Sequence, residues 1–168
     1  MLHFDSKAII ESYIRALNIP ATFLYMSAFS SFPLQSLIPL STNSRTYKLS
    51  YPVPPTTLFP IISPTSDTGK YITAILSKRS SLLGKQIYAA ERSYTLTELV
   101  DIMRERGIDV IYEQCDEAAF RKRMAGVGFP DIFQDGVTDS FKWFAEFGCF
   151  GKETEQLIEE GHRYANRA

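Results

Sequence analysis

The chain has 168 residues and a mass of 19.1 kDa, which is the size of a single domain. Its 45% hydrophobic and 22% charged residues exclude a disordered, collagen-like or disulfide-rich protein. Its 18 basic and 19 acidic residues leave a net charge of −1, so neither nucleic acid nor a membrane surface is an expected direct partner.

The first segment is predicted to be a helix followed by a strand. Apolar residues recur at three- and four-residue intervals from Ile9 to Leu17, which predicts a helix over about residues 6–17. Asn18-Ile19-Pro20 would end this helix, and the apolar run Ala21 to Met26 predicts a buried strand. A helix and a strand are half of a βαβ unit, and we expect that the strand preceding the helix is missing upstream.

Residues 27–67 contain seven prolines, which excludes a long helix there. Short extended pieces are expected at Arg45 to Tyr51 and at Leu58 to Ile62. Asp67 is predicted to cap a helix that runs to about Ser77. The inner face of that helix would consist of Ile72, Ile75 and Leu76.

The second half has a more regular pattern. Strands are predicted at Lys85 to Ala90 and at Ile108 to Glu113. Thr95 and Glu98 have the spacing of a capping box, Gly107 suits a helix C-terminus, and Asp116 is predicted to cap a helix ending at Gly126. The inner face of the helix after Thr95 would consist of Leu96, Leu99, Val100 and Met103. A long helix should span Phe133 to Gly148, and residues 152–168 should form a polar helical tail.

Metal and dinucleotide motifs are absent from this sequence. The two cysteines, Cys115 and Cys149, and the two histidines lie too far apart for a zinc motif. None of the nine glycines follows a predicted strand in G-x-G-x-x-G or G-x-x-G-x-x-G spacing, so no pyrophosphate loop is predicted.

Two groups of side chains are candidates for a site. His3 and Lys7 are four residues apart and share one face of the first helix, whereas His162 lies in the polar tail and is expected to be solvated. The aromatic and sulfur side chains at the end of the first strand could line a pocket for a flat or apolar molecule, or could simply pack in the core. They are Tyr25, Met26, Phe29 and Phe32.

Several segments together resemble the C-terminal half of NmrA-like proteins, a branch of the atypical short-chain dehydrogenases. The resemblance rests on their order over about residues 3–151. The segments are His3-Phe4-Asp5-Ser6-Lys7, Leu17-Asn18-Ile19-Pro20-Ala21-Thr22, Ser66-Asp67-Thr68-Gly69-Lys70, Gly84-Lys85-Gln86-Ile87, Thr95-Leu96-Thr97-Glu98 and Trp143-Phe144-Ala145-Glu146-Phe147-Gly148.

The resemblance implies an α/β fold, with a partial Rossmann-like sheet and the smaller substrate-domain region over residues 1–151. It implies that Lys7 corresponds to the lysine of the Tyr-x-x-x-Lys pair, with His3 at the position of the tyrosine. It also implies NAD or NADP as the family's cofactor, most of whose contacts come from a preceding glycine-rich half. We therefore expect no dinucleotide binding by this chain alone.

Three functions follow as hypotheses. The first is a small-molecule-binding or regulatory module without independent redox activity. The second is a truncated NAD(P)-dependent oxidoreductase acting on a small apolar carbonyl or alkene metabolite. The third, which has the least support, is a scaffold for cofactor-free chemistry. We expect a cytoplasmic or nuclear location and a homo-oligomer or a hetero-partner that completes the sheet.

Overall fold

The computed structural model describes residues 2–41 and 45–165, and its mixed helices and strands confirm the predicted α/β class. The helices are α1 (Leu2–Ala16), α2 (Ser31–Gln35), α3 (Pro64–Ser77), α4 (Arg79–Leu82), α5 (Leu96–Glu105), α6 (Glu117–Gly126), α7 (Asp131–Phe147) and α8 (Thr154–Ala165). The strands are β1 (Phe23–Met26), β2 (Ala28–Phe29), β3 (Ile38–Pro39), β4 (Tyr47–Tyr51), β5 (Leu58–Ile62), β6 (Gln86–Ala89), β7 (Arg92–Thr95) and β8 (Val110–Gln114).

The chain divides into two compact units. The α1 unit comprises Leu2–Ser30, Pro60–Ser93 and residues 150–165, and the α7 unit comprises residues 31–41, residues 45–59 and Tyr94–Cys149. A further three-stranded sheet has the strand order β2-β5-β7.

Parallel pairing of β1 with β6 organises the α1 unit. Phe23 lies opposite Gln86 and Met26 opposite Ala89, so two of the predicted strands are confirmed as neighbours. The small core of this unit is made of apolar side chains from β5, β6, α3 and α4. Its buried members are Ile62, Tyr71, Leu82, Ile87 and Ala89.

In the α7 unit, β4 lies between β3, which is antiparallel to it, and β8, which is parallel to it. The predicted capping box opens α5, because the Thr95 hydroxyl accepts from the Glu98 amide at 3.1 Å and the Glu98 carboxylate accepts from the Thr95 amide at 2.7 Å. Asp116 caps α6 as predicted, with its carboxylate 2.7 Å from the Ala119 amide. The four residues predicted for the inner face of α5 are all buried.

The prediction for α3 is wrong in its start and in part of its inner face. Ser63 is the N-cap residue and Pro64 occupies the first turn, where its missing N–H costs nothing. Asp67 lies inside the helix and accepts from the Ser63 amide at 3.1 Å. Because α3 directs Tyr71 and Ala74 into the core, Ile72 and Leu76 lie on a neighbouring stripe and are exposed.

The C-terminal helix α8 is amphipathic, with Ile158 and Gly161 buried where it packs against β6 and α3. His162 is half-buried, so the expectation that it is solvated was wrong. Its Nε2 lies 2.6 Å from the Ala90 carbonyl oxygen, which also accepts from the Tyr71 hydroxyl at 3.0 Å. The polar sequence of the tail did not reveal this contact, since it depends on α8 reaching the residues after β6.

Helix α1 presents an exposed apolar face. Ile9 is 69% exposed and Tyr13 is 65% exposed, Ile10 is also exposed, and so is Leu17, directly after the helix. Among the described residues, β1 pairs with β6 on one edge and with no strand on the other. No helix in the described ranges is long and apolar enough to cross a membrane.

We predict that Gly161→Ala destabilises the protein by about 1–3 kcal/mol, because the added Cβ would clash with the Tyr88 carbonyl oxygen and overpack the contact of α8 with β6. Chemical denaturation measures the loss. The control is Gly69→Ala in the exposed part of α3, where a Cβ meets nothing within 4 Å and a gain of up to about 1 kcal/mol is expected. Equal effects of the two substitutions would contradict this packing.

Candidate functional site

Glu11, on the side of α1 that faces the sheet, accepts hydrogen bonds from three side chains. The Tyr25 phenol donates to one carboxylate oxygen. Arg15 Nε and Gln86 Nε2 donate to the other oxygen at 2.9 Å and 3.0 Å. The carboxylate therefore ties α1 to both strands of the parallel pair.

The strand register explains why these groups meet. Tyr25 lies directly opposite Tyr88, and their rings stack with centroids 5.0 Å apart. Gln86, two residues before Tyr88 and on the same face of the sheet, donates to the Tyr25 oxygen at 3.0 Å. The result is a polar network of Glu11, Tyr25, Gln86 and Tyr88 beneath α1.

The network shifts the pKa values of Glu11 and Tyr25 in opposite directions. Burial raises the pKa of Glu11, but the hydrogen bonds from Tyr25, Arg15 and Gln86 outweigh it and hold the pKa below its usual 4.5. Burial and the Glu11 carboxylate raise the pKa of Tyr25 to about 12. Tyr25 is therefore a neutral, weakly acidic phenol whose hydroxyl is already hydrogen-bonded to Glu11.

The contacts of α1 indicate where Lys7 lies along the sheet. Arg15 contacts the start of the strands, with its guanidinium 4.3 Å from the centre of the Phe23 ring, and Glu11, one turn earlier in α1, contacts Tyr25. Lys7 is one further turn, about 6 Å, toward the carboxyl end of β1, and it is exposed. Open α/β sheets bind ligands at that end. The side chain of His3 lies outside the described part of the structure.

The four residues predicted to bind substrate have different neighbours in the structure. Tyr25 belongs to the polar network, whereas Met26, on the other face of β1, packs against the core of the α1 unit. Phe29 ends β2 and is exposed, and Phe32 belongs to α2 in the α7 unit. Their role in ligand binding stays a prediction.

Ser27 was not among the predicted site residues, although it lies at the carboxyl end of β1. It is buried, and its hydroxyl has no hydrogen-bond partner within residues 2–41 and 45–165. The signal for it in the sequence was a small polar residue directly after an apolar strand.

Tyr51 carries a second buried hydroxyl that sequence reasoning did not single out. It is 2% exposed at the centre of an aromatic cluster in the α7 unit, and in the described ranges its hydroxyl has no hydrogen-bond partner. An unpaired buried hydroxyl costs about 1–3 kcal/mol. The cluster consists of Phe32, Tyr51, Phe59, Phe120 and Phe141.

A cavity of about 180 Å³ lies within the α1 unit, between α3, the residues after β6, and α8. Its lining includes the ionisable side chains Asp67, Lys70, Glu91 and His162, and Lys70 is paired with Asp67 at 2.8 Å. In the described ranges, no group of three or more His, Cys, Asp or Glu side chains could hold a metal ion.

The described strand-to-helix turns do not fit a dinucleotide pyrophosphate. Such a cradle requires glycine where a strand meets the next helix, so that backbone N–H groups can approach the phosphates. Ser30 stands between β2 and α2, Ser63 between β5 and α3, and Cys115 and Asp116 between β8 and α6, while β7 runs directly into α5. No chemistry of this chain can therefore be routed through a dinucleotide held at these turns.

Comparisons with known proteins agree with this fold. A model of the NmrA-like family matches residues 1–166. The negative transcriptional regulator NmrA has a TM-score of 0.68 at 18% identity, covering 94% of this chain and 52% of NmrA. NmrA in complex with NAD gives 0.67 at 17% identity, with the same coverage. A search of curated proteins gives no match.

A reductase is also similar. Triphenylmethane reductase from Citrobacter sp., complexed with NADP(H), has a TM-score of 0.62 at 18% identity, covering 88% of this chain and 52% of the reductase. At such identities the likeness shows the fold alone. The chain spans about half the length of these solved structures.

We predict that Glu11→Gln lowers the free energy of unfolding by about 1 kcal/mol at pH 7, since it removes the charge that Arg15 and Tyr25 bind. The folded-state pKa of Glu11 is depressed, so this contribution is complete above the unfolded pKa and is lost as pH falls through the folded value below 4.5. Denaturation at pH 7 and pH 3 should show the difference shrinking. The exposed Glu153→Gln is the control, and a pH-independent difference at Glu11 would contradict the assignment.

Proposed function

Because this chain belongs to the NmrA-like family, we propose that it is a small-molecule-binding or regulatory module without independent redox activity. The family-level likeness spans a transcriptional regulator and reductases, so the choice between these roles depends on this chain's own residues. The near-zero net charge favours regulation through a protein or small molecule over direct contact with nucleic acid.

The observation that carries the proposal is the state of the Tyr25 phenol, which binds Glu11, one turn of α1 away from Lys7. A reductase of this type needs a proton donor that gives up its proton readily near neutral pH. Tyr25 is bound to the Glu11 carboxylate, and its pKa of about 12 makes it a poorer acid than free tyrosine. The resemblance implies that His3, and not a phenol, corresponds to the tyrosine of the Tyr-x-x-x-Lys pair.

The alternative is a truncated NAD(P)-dependent oxidoreductase acting on a small apolar carbonyl or alkene metabolite. It is favoured by the likeness to triphenylmethane reductase and by the share of that protein, about half, that the chain spans. Under this alternative, Lys7 would hold a ribose hydroxyl and lower the proton affinity of a neighbouring acid. An in-frame upstream strand followed by G-x-x-G-x-x-G would decide for it.

We predict no measurable binding of NAD(H) or NADP(H) by the isolated chain, because its strand-to-helix turns lack the glycines of a pyrophosphate site. Isothermal titration with NADPH and NADH measures this, and Lys7→Ala is the matched variant. Micromolar affinity that Lys7→Ala weakens would contradict the proposal and favour the oxidoreductase.

We further propose that the isolated chain covers the exposed face of α1 with a second copy. The exposed side chains at Ile9, Ile10 and Tyr13 are apolar, and burying each is worth about 1.5–3 kcal/mol. A net charge of −1 does not keep two copies apart.

Light scattering should therefore report a dimer or larger species for the wild-type chain and a monomer for the double variant Ile9→Glu/Tyr13→Glu. The control is Leu76→Glu, at a side chain that is 68% exposed on α3, which should associate as the wild type does. A stable wild-type monomer would contradict the proposal.

A further inference from the structure

The buried hydroxyl of Tyr51 is the strongest unexplained feature of the α7 unit. Tyr51 ends β4, and four phenylalanine rings surround it, that of Phe141 with its centroid only 4.5 Å away. Tyr112, on the adjacent strand β8, differs in this respect, since its hydroxyl donates to the Val53 carbonyl at 2.5 Å. In the described residues, Tyr51 thus retains a donor that no protein group uses.

The state of this phenol suits it to donate a hydrogen bond. Burial raises the pKa of Tyr51 and outweighs the opposing effect of the Arg123 guanidinium, so the phenol is neutral at physiological pH. Ser36 does not form a hydrogen bond with it, and the Ser36 hydroxyl donates instead to the Phe32 carbonyl at 2.9 Å.

Phe32 covers this phenol in a way that allows replacement. Its ring stacks on Tyr51 with centroids 6.0 Å apart and planes within 10°, yet the residue is 38% exposed. Pro33 is buried and anchors the five-residue α2. Replacement of this ring requires Phe32 to turn outward by a change of rotamer while Pro33 holds α2 in place.

We propose that a flat aromatic carbonyl compound binds in the α7 unit by taking the place of the Phe32 ring on Tyr51, with its carbonyl oxygen accepting the Tyr51 hydroxyl. The ligand ring keeps the stacking that Phe32 provides and adds a hydrogen bond that Phe32 cannot make. This deepens the proposed function, on which it rests, by naming the ligand class.

The arrangement explains why an unpaired hydroxyl persists in an apolar cluster. Buried polar groups without partners concentrate where function requires them, and a ligand acceptor completes this one. Tyr51→Phe should therefore leave the melting temperature of the free protein unchanged or raise it, since no hydrogen bond is lost. Tyr112→Phe, which removes the bond to Val53, should lower it.

The test compares acetophenone with α-methylstyrene, in which a CH₂ group replaces the carbonyl oxygen, by NMR titration of the full chain. The wild type should bind acetophenone about three to ten times more tightly, as expected for one hydrogen bond. The two probes should bind Tyr51→Phe equally, while Tyr112→Phe keeps the preference.

Three outcomes would overturn the proposal: binding of neither probe, no preference in the wild type, or a preference that survives Tyr51→Phe. A lower melting temperature for Tyr51→Phe would also overturn it, because the hydroxyl would then have a partner. These outcomes can be distinguished from a failure of the proposed function. Lys7-dependent oxidation of NADPH would contradict the proposed function, whether or not acetophenone binds.

Discussion

The parallel pairing of β1 with β6 determines where the groups of the α1 unit lie. Its register sets Tyr25 opposite Tyr88 and brings Gln86 to the same face, so that one carboxylate, Glu11, can bind side chains of both strands. On β6, the backbone at Tyr88 also receives α8, which comes so close that residue 161 has no room for a side chain. A slip of one residue would reverse the faces of β1 and remove the polar network.

The polar network connects packing with chemistry. The half-buried Glu11 carboxylate is stable because three side-chain donors bind it, and one of these hydrogen bonds occupies the Tyr25 phenol. The arrangement that holds α1 on the sheet therefore also reduces the acidity of Tyr25. The hydrogen bond by which the Tyr25 hydroxyl stabilises α1 is the same one that makes Tyr25 a poorer proton donor.

The aromatic cluster of the α7 unit shows a different relation between stability and function. Its rings supply apolar contact in abundance, so the fold tolerates one hydroxyl without a partner at its centre. A phenylalanine at position 51 would fill the same space without that cost. A polar atom that weakens the free protein is explained best by a ligand that pairs with it.

Local patterns of sequence were sufficient for most of the elements. The spacing of apolar residues and the capping pairs at Thr95 and Asp116 depend on neighbours within four residues, and these predictions were confirmed. The start of α3 was wrong because Ser63 and Pro64 offered an earlier cap than Asp67. The order of segments also identified the family, since each segment keeps its place along the chain.

Contacts between residues far apart in the chain were decided by the tertiary structure alone. No local pattern shows that Glu11 meets Gln86, that His162 reaches Ala90, or that Tyr51 lacks a partner. Strand register and helix packing bring together groups that are more than 70 residues apart in the chain. They also leave the Tyr51 hydroxyl without a partner in the described ranges. The sequence determined which helices and strands could form, whereas the chemistry of each buried polar group depended on what the folded chain placed beside it.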